Sequence, residues 1–412
     1  MKNLGLSVLL VGGALLGCAA DPSVGGTGGA GTGGATGTGG TIVDAGTGGT
    51  APTPDAGSGG ASGSGGSSPD VQGDSVAGAD GSDGPAFDPM MPMLLSQTGL
   101  YADIARDVVA TGVLPFTPTY PLWSDTASKR RWVSLPAGLK INTSDMNFWL
   151  YPNGTKLWKE FTRDGKRIET RLLMKRGTAD WFMMAYKWNA TQTEAEAAPK
   201  GEVNSGGTQH DIPTQEACGN CHSAMVDIVL GFSALQLAHD TTMPGLNLDQ
   251  LKTMNVLSAP PAGAVTLPGD ATAKAALGYL HSNCGICHNA QGKLYLTQVQ
   301  LDLWAHLEAP LTVETSPAYL SSVCDQWPGD KFNPITSCGA GHNLGAANQG
   351  TIAMVPNSRR IVPGNPMRSS IHELMNLRGD ANSKRQMPPL ASKIVDTAAL
   401  AAVDAWINAL PR

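Results

Sequence analysis

Hydrophobic positions recur in two rhythms along this chain. Between Thr155 and Trp188 they alternate. The segments Thr155–Thr162 (TKLWKEFT), Arg167–Lys175 (RIETRLLMK) and Trp181–Trp188 (WFMMAYKW) place apolar side chains at roughly every second position. A period of two sends successive side chains to opposite faces of a strand. Asp164-Gly165 and Gly177–Asp180 interrupt the pattern with turn residues, and Tyr151-Pro-Asn-Gly154 precedes it. Together they predict an antiparallel meander of three strands, with Ile168, Leu172 and Met174 on one face. Tyr101–Val109 reads as a helix ahead of the sheet.

After about residue 263 the rhythm becomes helical. Ala271–Asn283 (ATAKAALGYLHSN) is an amphipathic helix. Asp396–Leu410 (DTAALAAVDAWINAL) is another, with Asp396 or Thr397 as N-cap and Pro411 just beyond its end. The expected fold class is α+β and multidomain: an antiparallel β-rich domain over 87–262, then an all-α domain over 263–412.

The first 86 residues follow neither rhythm. Lys2 and the apolar run Leu4–Leu16 have the form of an export signal, too short to span a bilayer as a stable helix. The run ends in Leu15-Leu16-Gly17-Cys18, which resembles the bacterial lipobox. That resemblance implies a signal peptide over 1–17, a lipid on Cys18 and, with Ala19 following, sorting to the outer membrane. The alternative is an ordinary secretory signal with Cys18 near the cut. From Ala19 to Ala86 there is no aromatic residue, Lys or Arg, and Gly, Ser, Thr and Ala dominate. Such a stretch buries too little apolar surface to offset the entropy of ordering it. It is expected to be a disordered tether over 18–86, reaching roughly 45 Å as a coil. The net charge is −6, which argues against a nucleic-acid partner and a polybasic membrane patch. The lipid would be the sole anchor of an exported protein facing the periplasm or the cell exterior.

The chemistry-bearing motifs are Cys218-Gly-Asn-Cys221-His222 and Cys284-Gly-Ile-Cys287-His288. C-x-x-C-H is the attachment motif for haem c. One helical turn brings two thiols to the two vinyl groups on one porphyrin edge, and the adjacent His sits beneath the iron. Two matches among only seven cysteines point to two covalent haems. A four-Cys zinc site is the main alternative, but it gives no reason for a His after both pairs. A pair of thiol redox motifs would need a βαβ setting that neither has. Cys324 and Cys338 fall in an irregular insert, either as a disulfide in an oxidising compartment or as two buried thiols.

The order of segments around the second motif resembles a small cytochrome c domain: the helix Ala271–Asn283, the motif, Ile361-Val-Pro-Gly-Asn-Pro366, Gln386-Met387-Pro388-Pro389, and the terminal helix. By that resemblance Met387 is the distal iron ligand of the second haem, with Met375, Met367 and Met354 as substitutes. It also implies that first and last helices cross, with Gly278 or Tyr279 against Trp406. A His/Met pair leaves no open iron position. Arg359 and Arg360 would pair with haem propionates or stand as surface charges. About 50 residues separate His222 from Ala271, fewer than a cytochrome c domain needs. The first haem is therefore expected to borrow its distal wall from the β-rich domain. His239, Met243, Met183 and Met184 are candidates for its sixth ligand.

Tyr151-Pro-Asn-Gly-Thr-Lys-Leu-Trp-Lys-Glu160 before a C-x-x-C-H is similar to the β-sheet type of cytochrome c-prime and to the lysine-cross-linked cytochromes of ammonia oxidisers. That likeness implies Lys159 or Lys156 near the first haem, against a reading of Lys159 as an exposed strand residue. From Pro121-Leu-Trp-Ser-Asp125 onward, including Tyr279-Leu-His-Ser-Asn-Cys284, the chain resembles a family of exported bacterial proteins with cytochrome motifs. The expected function is electron transfer with redox partner proteins. The alternative is an enzyme acting on peroxide, hydroxylamine or nitric oxide at an open first haem, with Glu160, Glu169 or His210 as general base. A redox or gas sensor ranks third.

Overall fold

The computed structural model describes residues 91–291, 301–307, 311–323, 360–379, 386–389 and 392–411. Cys18, the stretch 18–86, Cys324, Cys338, Met354 and Arg359 lie outside the described residues.

The alternating segments form the sheet they predict. Strands β3 (Leu114–Pro115), β4 (Ser128–Ser134), β5 (Lys156–Arg163), β6 (Lys166–Lys175), β7 (Trp181–Trp188) and β8 (Ala195–Ala197) pair in chain order, each antiparallel to the next. The β5–β6 hairpin turns at Asp164 (φ 51°) and Gly165 (φ 74°). Two successive positive φ values match the right-handed twist of the flanking strands.

The segment Tyr101–Val109, expected as a helix, is instead a small hairpin of β1 (Tyr101–Asp103) and β2 (Val108–Val109). The paired β-branched residues Val108 and Val109 favour strand over helix, and Asp107 at φ 58° breaks any helical run.

The sheet separates two cores. One face carries Trp132, Trp158, Leu172, Met174, Phe182, Met184, Tyr186 and Trp188, covered by Leu95, Leu100 and Tyr101. The other face carries Val133, Leu157 and Leu173, which pack on Phe116, Ile141, Trp149, Tyr151 and Phe232 and on the short helix α2 (Leu248–Thr253). Ile168 departs from its expected face and packs with Ala185 and Ile212. The register steps from Phe161↔Glu169 to Thr162↔Arg167, so Ile168 is left without a direct partner. A bulge of this kind shifts the in/out phase of one strand.

Helix α1 (Gln215–His222) starts at Thr214, whose side chain accepts from the Ala217 N–H at 3.1 Å. Helix α3 (Ala271–Asn283) is capped by Asp270 and α6 (Thr397–Ala409) by Asp396. Between them lie α4 (Pro317–Ser322) and α5 (Ser370–Asn376). Helices α3 and α6 pack directly together, and Leu277, Leu280, Trp406, Val403 and Ile407 share one apolar cluster with Ile361 and Met375. The closest neighbour of Gly278 is Tyr120: a Cβ added there would stand 2.1 Å from the Tyr120 ring.

The loop Tyr120–Asp125 joins the sheet to these helices. Trp123 donates from its backbone to Asn283 Oδ1 at 2.6 Å and from its indole to the Ile394 carbonyl at 3.0 Å. The Asp125 carboxylate accepts from the backbone N–H of Lys393 and Ile394 at 2.7 and 3.1 Å. No helix among the described residues is long and apolar enough to cross a membrane.

Candidate functional site

The two C-x-x-C-H motifs, 66 positions apart in sequence, are neighbours in the fold. The Cys221 and Cys287 thiols lie close enough to shift each other's ionisation. Both pack into an apolar cluster of Met225, Leu230, Ile286 and Trp304, flanked by Leu122 and Phe148. The Phe148 and Trp304 rings stack at 5.6 Å with an 11° interplanar angle, and the His281 ring lies 4.0 Å from Trp304.

The first motif rides on α1, so Cys218, Cys221 and His222 occupy its C-terminal five residues. The second motif follows α3. Cys284 is the C-cap, and the N–H groups of Cys287 and His288 both return to the Cys284 carbonyl, at 3.1 and 2.8 Å. Its Gly285 is sterically required: a Cβ there would stand 2.7 Å from the His281 carbonyl and 3.0 Å from the Trp304 backbone. Gly219 in the first motif meets nothing within 4 Å. The segment around Leu303 thus closes on the second motif, and the Leu303 N–H binds the His288 carbonyl at 2.8 Å.

Both motif histidines are held neutral by burial. Burial lowers His222 to about 3, with Lys159 and Arg171 adding to the effect. Burial lowers His288 to about 4, and Arg360 contributes. Neutral imidazole is the metal-binding form. His222 Nδ1 lies 2.6 Å from the Ile228 carbonyl, which fixes the tautomer and leaves Nε2 for a ligand. Ile228 adopts φ 45°. A β-branched residue in the left-handed region is a genuine outlier, and such residues cluster at functional sites. Asp227 holds the segment in place. Its carboxylate receives Lys175 Nζ at 2.7 and 2.9 Å, Trp181 Nε1 at 2.7 Å and the Tyr151 N–H at 2.7 Å.

The thiols differ in character. Cys221 is held below the ordinary thiol range by its interaction with the Cys287 thiol and by the cations Arg171 and Lys159, while Cys287 is raised by the same interaction and by burial. Burial pushes Cys284 up to about 12 and raises Cys218. All four are free thiols. Among the described residues no group of three or more His, Cys, Asp or Glu is placed to hold a metal ion. The donor set suits the haem reading: two thiols and one neutral imidazole per motif, against an apolar wall.

The sheet sorts the remaining candidates by face. Lys159, weighed above as an exposed strand residue, is half-buried and acts electrostatically on His222, on the side of the first motif. Lys156 points to the opposite face, where Nζ binds the Thr98 carbonyl at 2.8 Å. Met184 and Glu160 also lie on that far face: Met184 in the core with Trp158, and Glu160 bonded to Tyr101 Oη at 2.9 Å and to Arg130. Alternation along β5 and β7 decides this, which rules both out as groups above the first motif. Glu169 and His210 are paired at 2.7 Å on the near face. Met183 packs toward the second core and its carbonyl accepts from Gln215 of α1 at 2.9 Å. His239 is held by its neighbour, with Nδ1 2.9 Å from the Asp240 carbonyl, and Met243 is half-buried.

Near the second motif, Met387 is half-buried on a loop tied to α5 by its N–H bond to the Leu374 carbonyl at 2.8 Å. Met375 is buried in the helical core and Met367 is 78 % exposed. Arg360 donates to the Ser321 carbonyl at 2.7 Å while influencing His288. Sequence reasoning missed Ile228, Asp227, Arg131, Arg171, Phe148 and Trp304. Their roles depend on contacts between distant segments.

Comparison of the chain with protein families, with curated proteins and with solved structures found no match.

Proposed function

We propose that the protein is an exported, lipid-anchored c-type cytochrome that carries two covalent haems and transfers electrons between partner proteins. The observation that carries this reading is the packing of Cys221 and Cys287, one from each C-x-x-C-H motif, against one apolar cluster. In each motif two S–H bonds would add across two vinyl groups, forming thioethers, and His222 or His288 would offer Nε2 to the iron. Bound haem supplies a one-electron couple, and motifs this close suit exchange between two such groups. Ile228 orients the His222 ring, and the Phe148–Trp304 stack keeps water from the shared cluster. In this reading the helices α3 to α6 are a cytochrome c-like unit, Met387 is the second distal ligand, and Arg360 neutralises a propionate.

A second reading is favoured by the Glu169–His210 pair and the cations on the same sheet face: small-molecule chemistry at the first haem, with the second as relay. One experiment addresses both. The mature protein, expressed with a working haem-maturation system, is examined by intact mass and visible spectroscopy. Two haem mass increments are expected, one being lost when Cys218 and Cys221 are both changed to Ser. A colourless protein without added mass refutes the proposal. Carbon monoxide added to the reduced protein decides between the readings: no spectral change supports electron transfer alone, and binding at one haem supports the enzyme.

A further inference from the structure

The register across β4, β5 and β6 sets Arg131 opposite Lys159, and Lys159 opposite Arg171. Directly opposed residues share one face of the sheet, about 4.8 Å apart per strand, and like charges so placed repel. The neighbouring groups leave this row cationic. Arg131 is 7 % exposed, and neither it nor Lys159 has a hydrogen-bond or ion-pair partner among the described residues. Arg171 is held by Glu169 through two bonds of 2.9 and 2.5 Å, and Glu169 also binds His210. One pair further along, Lys129 Nζ bonds the Leu122 carbonyl. The nitrogens of Arg131 and Lys159 keep contact with solvent, which leaves them open to an incoming anion. Burial and the flanking guanidinium groups lower Lys159 to about 7, and Glu169 offsets Arg171; the row keeps a net positive charge that selects against cationic and apolar ligands alike.

The row faces the first motif. Helix α1 lies against β7, next to β6, and Arg171 and Lys159 act electrostatically on Cys221 and His222. We propose that Arg131, Lys159 and Arg171 form a seat for an anionic oxygen group, a carboxylate or a small inorganic oxyanion, beside the first C-x-x-C-H motif. The group has two sources: a propionate of a haem attached at Cys218 and Cys221, which rests on the function proposed above, or a dissolved oxyanion.

The test uses the purified haem-loaded protein with the variants Arg131→Gln and Lys159→Gln. Haem content is checked first by mass and spectrum, so that loss of haem, which defeats the function proposed above, is distinguished from loss of the seat. Redox titration then reads the potential of each haem, and calorimetry reads binding of phosphate and nitrite. With a propionate in the seat, both variants lower one haem potential by about 59 mV, a tenfold change in the oxidised-to-reduced ratio, and phosphate and nitrite do not bind. With a dissolved oxyanion, phosphate or nitrite binds the wild type and loses at least tenfold in affinity in both variants. Unchanged potentials together with absent or unchanged anion binding overturn the proposal. Should Arg131→Gln fail to fold, Lys159→Gln, at a half-buried position, reads the same quantities.

Discussion

His222 Nδ1 stands 2.6 Å from the carbonyl oxygen of Ile228, and that carbonyl is aimed by a backbone at φ 45°. The chain six residues past the motif therefore folds back to hold the imidazole it has just presented. An isoleucine does not adopt this conformation unaided, since the left-handed region costs an L-residue roughly 1–2 kcal/mol. Asp227, one residue earlier, is buried against Lys175 and Trp181 at the end of the sheet. The sheet thus holds the loop that holds the histidine.

Replacing Asp227 tests this dependence. Asp227→Ala leaves Lys175, 5 % exposed, as an uncompensated buried charge. The expected loss is about 3–5 kcal/mol in urea unfolding. A loss below about 1 kcal/mol would show that the pair does not anchor the loop.

Glu169 gives a pH-dependent signature. Burial raises its carboxyl, but Arg171 and the hydrogen bond from His210 outweigh burial and hold it below the usual carboxylate range. A depressed folded value means the contribution is fully present above the unfolded value near 4.5. It is lost as pH falls through the folded value. At pH 7 Glu169→Gln is expected to cost about 3–5 kcal/mol. The gap to wild type narrows below pH 4.5, as thermal unfolding at several pH values would show. A gap independent of pH down to 3 contradicts the assignment.

Gly278 and Tyr120 form a steric pair. A Cβ at Gly278 would overlap the Tyr120 ring at 2.1 Å, so Gly278→Ala is expected to cost about 1–3 kcal/mol through overpacking. In the Tyr120→Ala background the same change should cost less, and a double-mutant cycle measures the coupling. Additive effects would mean that the two do not press on each other.

Asp125 clasps the loop before the terminal helix. Asp125→Ala leaves the Lys393 and Ile394 N–H groups without their acceptor, at about 1–3 kcal/mol. Limited proteolysis should cut near Lys393 sooner than in wild type. Equal cutting rates would show that the clasp does not hold this loop.

What could be read without coordinates was local. Strands β5 to β7 and helix α3 fall within a residue or two of the expected positions, because each is encoded by a short period in its own sequence and bounded by its own turn or cap. The two C-x-x-C-H motifs were visible for the same reason: each is only five positions long. The hairpin at Tyr101–Val109 was not legible, since nine residues of mixed polarity have no decisive period and burial of Tyr101 against Trp132 and Trp188 settles the outcome.

Tertiary structure alone decided which residues serve the motifs. Lys175 and Asp227 are 52 positions apart, and Trp123 and Asn283 160 apart. Nothing in either local sequence names its partner. The face of the sheet that Lys159, Arg131 and Arg171 share follows from pairing register, and a bulge at Ile168 is enough to shift that phase. The packing of Cys221 and Cys287 against one apolar cluster has the same origin. Two self-contained motifs become neighbours because the apolar surfaces beside them are buried together, and burial is a property of the whole chain.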